Sequence, residues 1–263
     1  MGVTKEGRVA VLTNYREASS EQVVGAQSRG VIVNSWLVAS SENQQTTRGF
    51  VEDMVADMAA KKVGGFSLIC GYVNEPLAIV SNRSSNMDQI SWVATEPGQT
   101  LGLSNTCFDD RQWPKILEGE ILTKDAIAAH VQAEEDEQGL INRLLEVLST
   151  DTLPRLSDDA KTETYIPLLR NSIFVPIIGA QKVANGATDE VNAPCVDDKV
   201  AGEQPNKPDP SYMQGPYGTQ KQTILLVSHN GRVRYFERTL YDNDVKAVPI
   251  GQGDKSFEFM VNQ

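Results

Sequence analysis

Apolar and polar residues follow two different periods along the chain, and each period predicts one kind of element. Residues 47–62 carry apolar side chains at helical spacing, with Lys61 and Lys62 in the last turn, which predicts an α-helix. Residues 138–148 place five leucine or isoleucine side chains on one stripe and predict a second helix. The apolar run at residues 28–40 has no clear period, and its length favours a helix over a buried strand.

Short runs rich in β-branched residues and bounded by turn residues predict the strands. Two of these runs flank a turn at residues 74–76, and a third run at residues 100–105 is predicted to continue the meander. A long hairpin is predicted at residues 223–238, where Asn230 and Gly231 favour a type I′ turn with a positive φ at both residues. The runs that flank the turn are residues 65–72 and 77–82, and the remaining predicted strands are residues 8–14 and 256–261.

One stretch of the chain differs from the rest. Residues 181–218 are rich in proline, glycine and asparagine and have little apolar periodicity, which predicts a long mobile insertion. No internal repeat is found. The sequence therefore predicts a single domain over residues 1–263 that carries this insertion at residues 181–218.

Composition narrows the class of protein. A net charge of −11 argues against a general nucleic-acid binder, because phosphate contacts need clustered lysine and arginine. The N-terminal residues lack the pattern of a signal peptide, and no apolar run is long enough to span a membrane. Three cysteines and two histidines without a clustered spacing exclude the usual zinc sites, and predict free thiols in a reducing compartment. These features predict a soluble intracellular protein.

Candidate chemistry is sparse. The sequence contains no Gly-x-Ser-x-Gly elbow, no phosphate-binding loop and no Gly-x-Gly-x-x-Gly fingerprint. His130 and His229 are read as structural or solvated rather than as general bases. Polar residues follow the predicted strands at residues 13–17, 104–106 and 217–220. Their side chains can form an oxyanion hole or polar pocket, or can simply satisfy turn backbone, and both alternatives stay open.

These polar segments belong to a series that resembles a known family. The series consists of residues 8–17, 27–30, 65–72, 102–105, 113–117, 217–227 and 230–240. These segments occur in the same order as in the Transport and Golgi Organization 2 family, also called NRDE proteins, which the sequence resembles. The resemblance covers nearly the whole chain except residues 181–218.

The resemblance implies an α+β fold, a four-layer αββα sandwich similar to that of N-terminal-nucleophile hydrolases. In that fold a Cys freed by removal of Met is the nucleophile and its α-amino group the base, and an Asn-Arg-Asp-Glu segment follows. This sequence has Gly2 at the Cys position and no Asn-Arg-Asp-Glu. Residues 3–14 match a region that lies well inside the family's chains. The resemblance therefore predicts a sandwich truncated at its N-terminus, with no catalytic residue and no metal.

A second departure lies before the predicted hairpin. Gly218, Thr219 and Gln220 stand where many relatives have Gly-Thr-Arg, and an amide supplies hydrogen bonds without a full charge. Asn105 matches the kind of position that provides an oxyanion contact in the related hydrolases. We predict that Asn14, Asn105 and Gln220 line the binding pocket that remains.

The resemblance implies a non-enzymatic protein of Golgi organisation and protein secretion. Such a protein is expected in the cytoplasm, at the Golgi or in mitochondria, acting on an unidentified protein or small-molecule partner. It needs no cofactor, and heme is expected only as a transported ligand. The alternative is an amide or ester hydrolase whose catalytic Cys segment is missing from this sequence.

Overall fold

The part of the chain that the structure describes contains helices and two antiparallel sheets, one of five strands and one of three. The protein is therefore an α+β protein, as predicted. No helix among the described residues is both long and apolar enough to cross a membrane. The structure is a computed structural model and describes residues 1–15, 28–39, 45–57, 64–157, 160, 162–179 and 216–261.

The first sheet pairs strands that follow one another along the chain. Its central pair runs in continuous antiparallel register from Arg8 opposite Tyr72 to Asn14 opposite Phe66. This register confirms the strands predicted at residues 8–14 and 65–72, and the pairing of Ser67–Cys70 with Ala78–Ser81 confirms the strand predicted at residues 77–82. The sheet consists of β1 (Gly2–Val3), β2 (Arg8–Asn14), β3 (Phe66–Tyr72), β4 (Leu77–Ser81) and β5 (Ser91–Val93).

Two helices, α1 (Gly30–Leu37) and α2 (Thr47–Ala56), pack on one face of this sheet. Trp36 is fully buried there, donates its indole N–H to the Val9 carbonyl over 3.0 Å and packs on the Phe50 ring. An indole needs such a partner when it is buried. Both helices confirm the sequence prediction, but α2 ends at Ala56, earlier than predicted, because the backbone of Asp57 is extended. Lys61 and Lys62 lie outside the described residues.

The second sheet contains the predicted hairpin. It consists of β6 (Lys221–Val227), β7 (Arg232–Thr239) and β8 (Asp254–Met260), so the predicted final strand is also confirmed. The predicted type I′ turn is wrong, because only Gly231 has a positive φ, at 83°. Gly231 donates to the Ser228 carbonyl over 2.9 Å, and Ser228 donates to the Arg232 carbonyl over 2.9 Å. The connection is therefore a type I turn followed by a left-handed glycine, one residue longer than the tight turn.

A pair of helices, α3 (Pro114–Gln132) and α4 (Glu137–Leu148), joins the two halves of the chain. The predicted helix at residues 138–148 is α4, and the Asp136 carboxylate caps it by accepting from the Gly139 N–H over 2.9 Å. Ile141 and Leu145 of α4 pack against Ile224 and Phe236 on one face of the second sheet. Each sheet thus has helices on one of its faces.

The first turn of α4 is also attached to the second sheet by charge. Glu137 accepts hydrogen bonds from Arg232 over 2.6 Å and from Arg234 over 2.7 Å. Arg232 continues the chain of ion pairs to Glu258 on β8 over 2.7 Å. This cluster of Glu137, Arg232, Arg234 and Glu258 fixes one end of α4 over the centre of the sheet.

The predicted strand at residues 100–105 is wrong. The next strand of the meander is instead β5, whose Ser91 and Val93 pair with Ile79 and Leu77. The backbone of residues 100–105 is engaged elsewhere: the Gly102 N–H donates to Glu120 on α3, and the Ser104 carbonyl accepts from Thr13. These backbone groups are therefore hydrogen-bonded to side chains that are distant in sequence, and not to the backbone of a neighbouring strand.

The predicted insertion is closed at its base by an antiparallel bridge. Ile178 donates to the Tyr217 carbonyl over 2.8 Å, and Tyr217 donates back over 2.9 Å. Tyr217 and Gly218, predicted to belong to the insertion, form this bridge and its exit. Residues 181–215 lie outside the described residues. A short helix, α5 (Thr162–Tyr165), and a 3₁₀-helix (Ile166–Asn171) precede the bridge.

Candidate functional site

A cavity of about 390 Å³ lies beside α3 and is the best candidate for a functional site. We call it the α3 cavity. One wall is residues 100–104, the second is the first half of α3, and the third is the end of α4 together with Ile173. Its volume falls at the lower end of the range of about 300–1,000 Å³ that is typical of small-molecule sites. The lining is mixed, with hydroxyl, charged and aliphatic side chains.

The charged residue of most interest in this lining is Lys115. It is half-buried in the first turn of α3, and burial lowers the pKa of its ammonium group below the ordinary value. Its ammonium lies 5.4 Å from the centre of the Trp113 ring. Within the described residues Lys115 forms no ion pair. A positive charge in the first turn also opposes the helix dipole, so this lysine does not stabilise α3 by its position.

Glu120 lines the same cavity but is already engaged. Its carboxylate accepts from the Gly102 N–H over 2.7 Å and from Arg111 over 2.8 Å. The Arg111 hydrogen bond is the main reason why the pKa of Glu120 lies below its ordinary value. Glu120 therefore stays ionised and holds the wall of residues 100–104 against α3.

Two of the three predicted site residues, Asn14 and Asn105, are brought together by a hydrogen bond that holds two segments of the chain in place. The Asn105 amide donates to the Asn14 carbonyl over 2.8 Å, which ties the 104–106 segment to the end of β2. Ser67 on β3 donates to the Thr106 carbonyl over 3.3 Å and strengthens the same attachment. Asn105 is half-buried and Asn14 is exposed. Neither lines the α3 cavity, although the adjacent Ser104 does.

Gln220 lies elsewhere. It is exposed just before β6 in the second sheet, and its carbonyl accepts from the Leu240 N–H over 2.8 Å. The preceding Thr219 binds the backbone of Val175, and Gly218 lies so close to Pro176 that a side chain would stand 3.2 Å from its carbonyl oxygen. The segment that precedes the hairpin is therefore a packing joint, and its residues Gly218, Thr219 and Gln220 do not line the α3 cavity.

The hydroxyl groups described at Ser104 and Thr106, near the cavity, lack a strong base. The Ser104 hydroxyl is directed at the Asn105 side-chain oxygen over 3.5 Å, which supplies no proton acceptor of useful strength. The Thr106 hydroxyl donates to Asp110 over 2.7 Å. This bond is the main reason why the pKa of Asp110 is lowered, which makes that carboxylate a weaker base.

The sulfur and imidazole groups also lie away from the cavity. Cys70 is fully buried in the core of the first sheet, and burial raises its pKa to about 12, so its reactive thiolate is scarce. Cys107 is exposed, and Cys195 lies outside the described residues. His229 is exposed in the hairpin turn, as predicted.

His130 is half-buried near the end of α3, with its Nδ1 3.7 Å from Glu135. It does not line the α3 cavity. In the part of the chain that the structure describes, no group of three or more His, Cys, Asp or Glu residues is placed to hold a metal ion.

Sequence reasoning missed Lys115 as a site residue. The signal was present, because Trp113 and Pro114 mark a helix start and a lysine at that end of a helix is electrostatically unfavourable. The contacts of Lys115 with the cavity depend on residues 100–104 and Ile173, which are distant in sequence. Only the structure brings these walls together.

Comparison with known proteins agrees with the resemblance found in the sequence. The sequence model of the Transport and Golgi organisation 2 family matches residues 1–242. The Transport and Golgi organization 2 homolog of Mus musculus is 23% identical over 251 residues, 93% of this chain and 72% of that protein. The homolog of Bos taurus is 25% identical over 247 residues, 93% and 72% of the two chains. An uncharacterized protein of Saccharomyces cerevisiae is 23% identical over 273 residues, 98% and 80% of the two chains.

No solved structure shows a significant match to this chain. The fold and the cavity describe an α+β protein with a small-molecule-sized pocket and no recognisable catalytic pair among its described residues. The chain belongs to the Transport and Golgi organisation 2 family.

Proposed function

We propose that this protein acts in Golgi organisation and protein secretion without catalysing a reaction, and that it binds a small molecule in the α3 cavity. The names of its mouse and bovine relatives support the role in Golgi organisation. The second part is carried by one observation, which is that the cavity has the volume of a ligand site but no hydroxyl paired with a base among its described residues. The Ser104 hydroxyl faces the amide oxygen of Asn105. We place the protein in the cytoplasm, with association at the Golgi surface or in mitochondria.

The same proposal extends to the fold. We infer that the two sheets stack between the two layers of helices, as in the αββα sandwich of N-terminal-nucleophile hydrolases. Two observations support it: each sheet carries helices on one face, and Gly7 before β2 is in close contact with Val261 just after β8. A side chain at Gly7 would stand only 2.8 Å from Val261, so the two sheets approach closely at this end.

Heme is one proposed cargo, and the α3 cavity limits how it can bind. Iron is usually held by histidine, cysteine, methionine or tyrosine, and none of these is among the described residues that line the cavity. A heme bound there would be held through one carboxylate and its ring, with the other carboxylate outside the cavity, rather than through its iron. Titration with heme would then give binding without the Soret shift that accompanies ligation by a new protein group.

The secretion proposal is tested in cells depleted of their own family member. Expression of this chain is expected to restore the release rate of a secreted reporter and the distribution of a Golgi marker. The Cys107→Ser variant is expected to restore both equally well, because an exposed thiol has no catalytic part in the proposal.

Two results would contradict the proposal. One is failure of the wild-type chain to restore secretion when it is present at normal abundance. The other is hydrolysis of an amide or ester by the purified full chain that is lost in Cys107→Ser, which would show that this chain is itself an enzyme.

A further inference from the structure

We propose that the α3 cavity binds an organic monocarboxylate, with Lys115 as the counter-ion and the aliphatic walls enclosing the rest of the molecule. The proposal deepens the small-molecule part of the proposed function and rests on it. It is carried by the cavity, by the ionic state of its two charged residues and by the side chains around them.

The first step concerns the charge of the ligand. Lys115 lines the cavity, is half-buried and forms no ion pair within the described residues. A buried charge without a partner is costly, and an anion placed beside it recovers much of that cost. The lowered pKa of Lys115, which comes from its burial, reflects the same missing partner. An anionic group is therefore the complement that this wall lacks.

The second step limits the ligand to one negative charge. Glu120 also lines the cavity and stays ionised, because Arg111 and the Gly102 N–H hold its carboxylate. Arg111 is engaged in this ion pair, and among the described residues that line the cavity Lys115 is the only cation. A dianion such as a phosphate monoester would bring a second negative charge close to Glu120 with no cation to balance it. A carboxylate matches the single available positive charge.

The third step concerns the body of the ligand. Leu103, Ile116, Val147, Leu148 and Ile173 give the cavity aliphatic walls on three sides. Leu101 lines the cavity and is 48% exposed, so the cavity opens to solvent beside this residue. A chain or small ring enters there and removes its apolar surface from water, while its carboxylate pairs with Lys115.

The experiment is a calorimetric titration of the full chain at neutral pH with octanoate, and with the uncharged octanamide. One molecule of octanoate is expected to bind to each protein chain. Octanamide, which has the same body without the charge, is expected to bind about tenfold more weakly or not at all. Equal affinities for octanoate and octanamide would overturn the proposal, and so would the absence of octanoate binding.

Three variants then test the role of Lys115. Lys115→Met is expected to weaken octanoate binding by about tenfold or more, whereas Lys115→Arg keeps the charge and is expected to retain binding within a few fold. Lys124→Met is the matched control, because Lys124 is exposed on the same helix and does not line the cavity. Thermal unfolding of each variant confirms that it is folded. Octanoate binding that is unchanged in Lys115→Met overturns the proposal.

The outcome is separable from that of the secretion assay. If octanoate binds through Lys115 but the chain does not restore secretion, the site stands and the cellular proposal fails. If secretion is restored and octanoate does not bind, the cellular proposal stands and the carboxylate site is rejected.

Discussion

Thr219 and Val175 are joined by two hydrogen bonds. The Thr219 N–H donates to the Val175 carbonyl over 2.8 Å, and the Val175 N–H donates to the Thr219 hydroxyl over 2.9 Å. One threonine thus satisfies both polar groups of a buried residue's backbone. This joint links the end of the 3₁₀-helical region to the strand that begins the hairpin.

Replacing Thr219 with valine removes the hydroxyl and keeps the shape of the side chain. The Val175 N–H is then left without its partner, and we expect the free energy of unfolding to fall by about 1–2 kcal/mol. Urea denaturation measures the change. Thr223→Val is the control, because Thr223 lies nearby on β6 and its side chain has no hydrogen-bond partner among the described residues. A loss of equal size in both variants would show that the joint is not responsible.

Two glycines beside the α3 cavity are expected to respond in opposite directions to alanine. A side chain at Gly119 would lie 3.4 Å from the end of Ile173, which is ordinary contact, and alanine favours the helix by about 0.5–1 kcal/mol. A side chain at Gly102 would lie 3.1 Å from Ile116 and 3.3 Å from its carbonyl oxygen. We expect Gly119→Ala to raise the unfolding temperature and Gly102→Ala to lower it. Thermal unfolding of both variants in the same buffer checks this, and a shift in the same direction would contradict it.

Glu137 makes stability depend on acid pH. Hydrogen bonds from Arg232 and then from Arg234 lower its pKa in the folded state, so the folded chain binds this proton less readily than the unfolded chain. The stabilisation is present above the unfolded pKa of about 4.3 and is lost as the pH falls through the lower folded pKa. Glu137→Gln is therefore expected to be less stable than the wild type at pH 7, with a smaller difference at pH 3. Glu96→Gln, at an exposed position, is the control. A difference that stays constant with pH would contradict the role of the Glu137 charge.

The thiols of Cys70 and Cys107 are expected to differ in reactivity. Cys70 is fully buried with a pKa raised to about 12 by burial, whereas Cys107 is exposed. At pH 8, iodoacetamide is expected to label the peptide that contains Cys107 and to leave Cys70 unlabelled until urea unfolds the chain. Peptide mapping by mass spectrometry measures both sites in one experiment. Labelling of Cys70 in the native protein at the rate of Cys107 would be inconsistent with the buried position.

The sequence predicted those elements whose signal is local. The stripe of α4 and the alternation of β6 and β7 are contained in short windows, and the structure confirms them. Residues 100–105 show the limit of such windows. Their composition favours a strand, but Gly102 packs against Ile116 and donates to Glu120, both on α3. A tertiary contact decided their conformation, and no local pattern contains that information.

The candidate site likewise depends on tertiary contacts that local sequence patterns do not contain. The sequence predicts that Asn14, Asn105 and Gln220 line one pocket, and the structure joins Asn14 and Asn105 by a hydrogen bond. That they line a pocket stays a prediction. Lys115 was overlooked because its importance comes from what it lacks, a counter-ion, and from walls contributed by residues distant in sequence.

The order of strands in the two sheets has a consequence for how the chain reaches its native state. Every pair of neighbouring strands is also consecutive in sequence. The β3–β4 and β6–β7 hairpins need only short loops to close, whereas β2 meets β3 only after the segment containing α1 and α2. Early contacts are therefore expected in the two hairpins, since short loops lose little entropy on closure. In refolding followed by pulsed hydrogen exchange, amides between β6 and β7 would gain protection before those between β2 and β3.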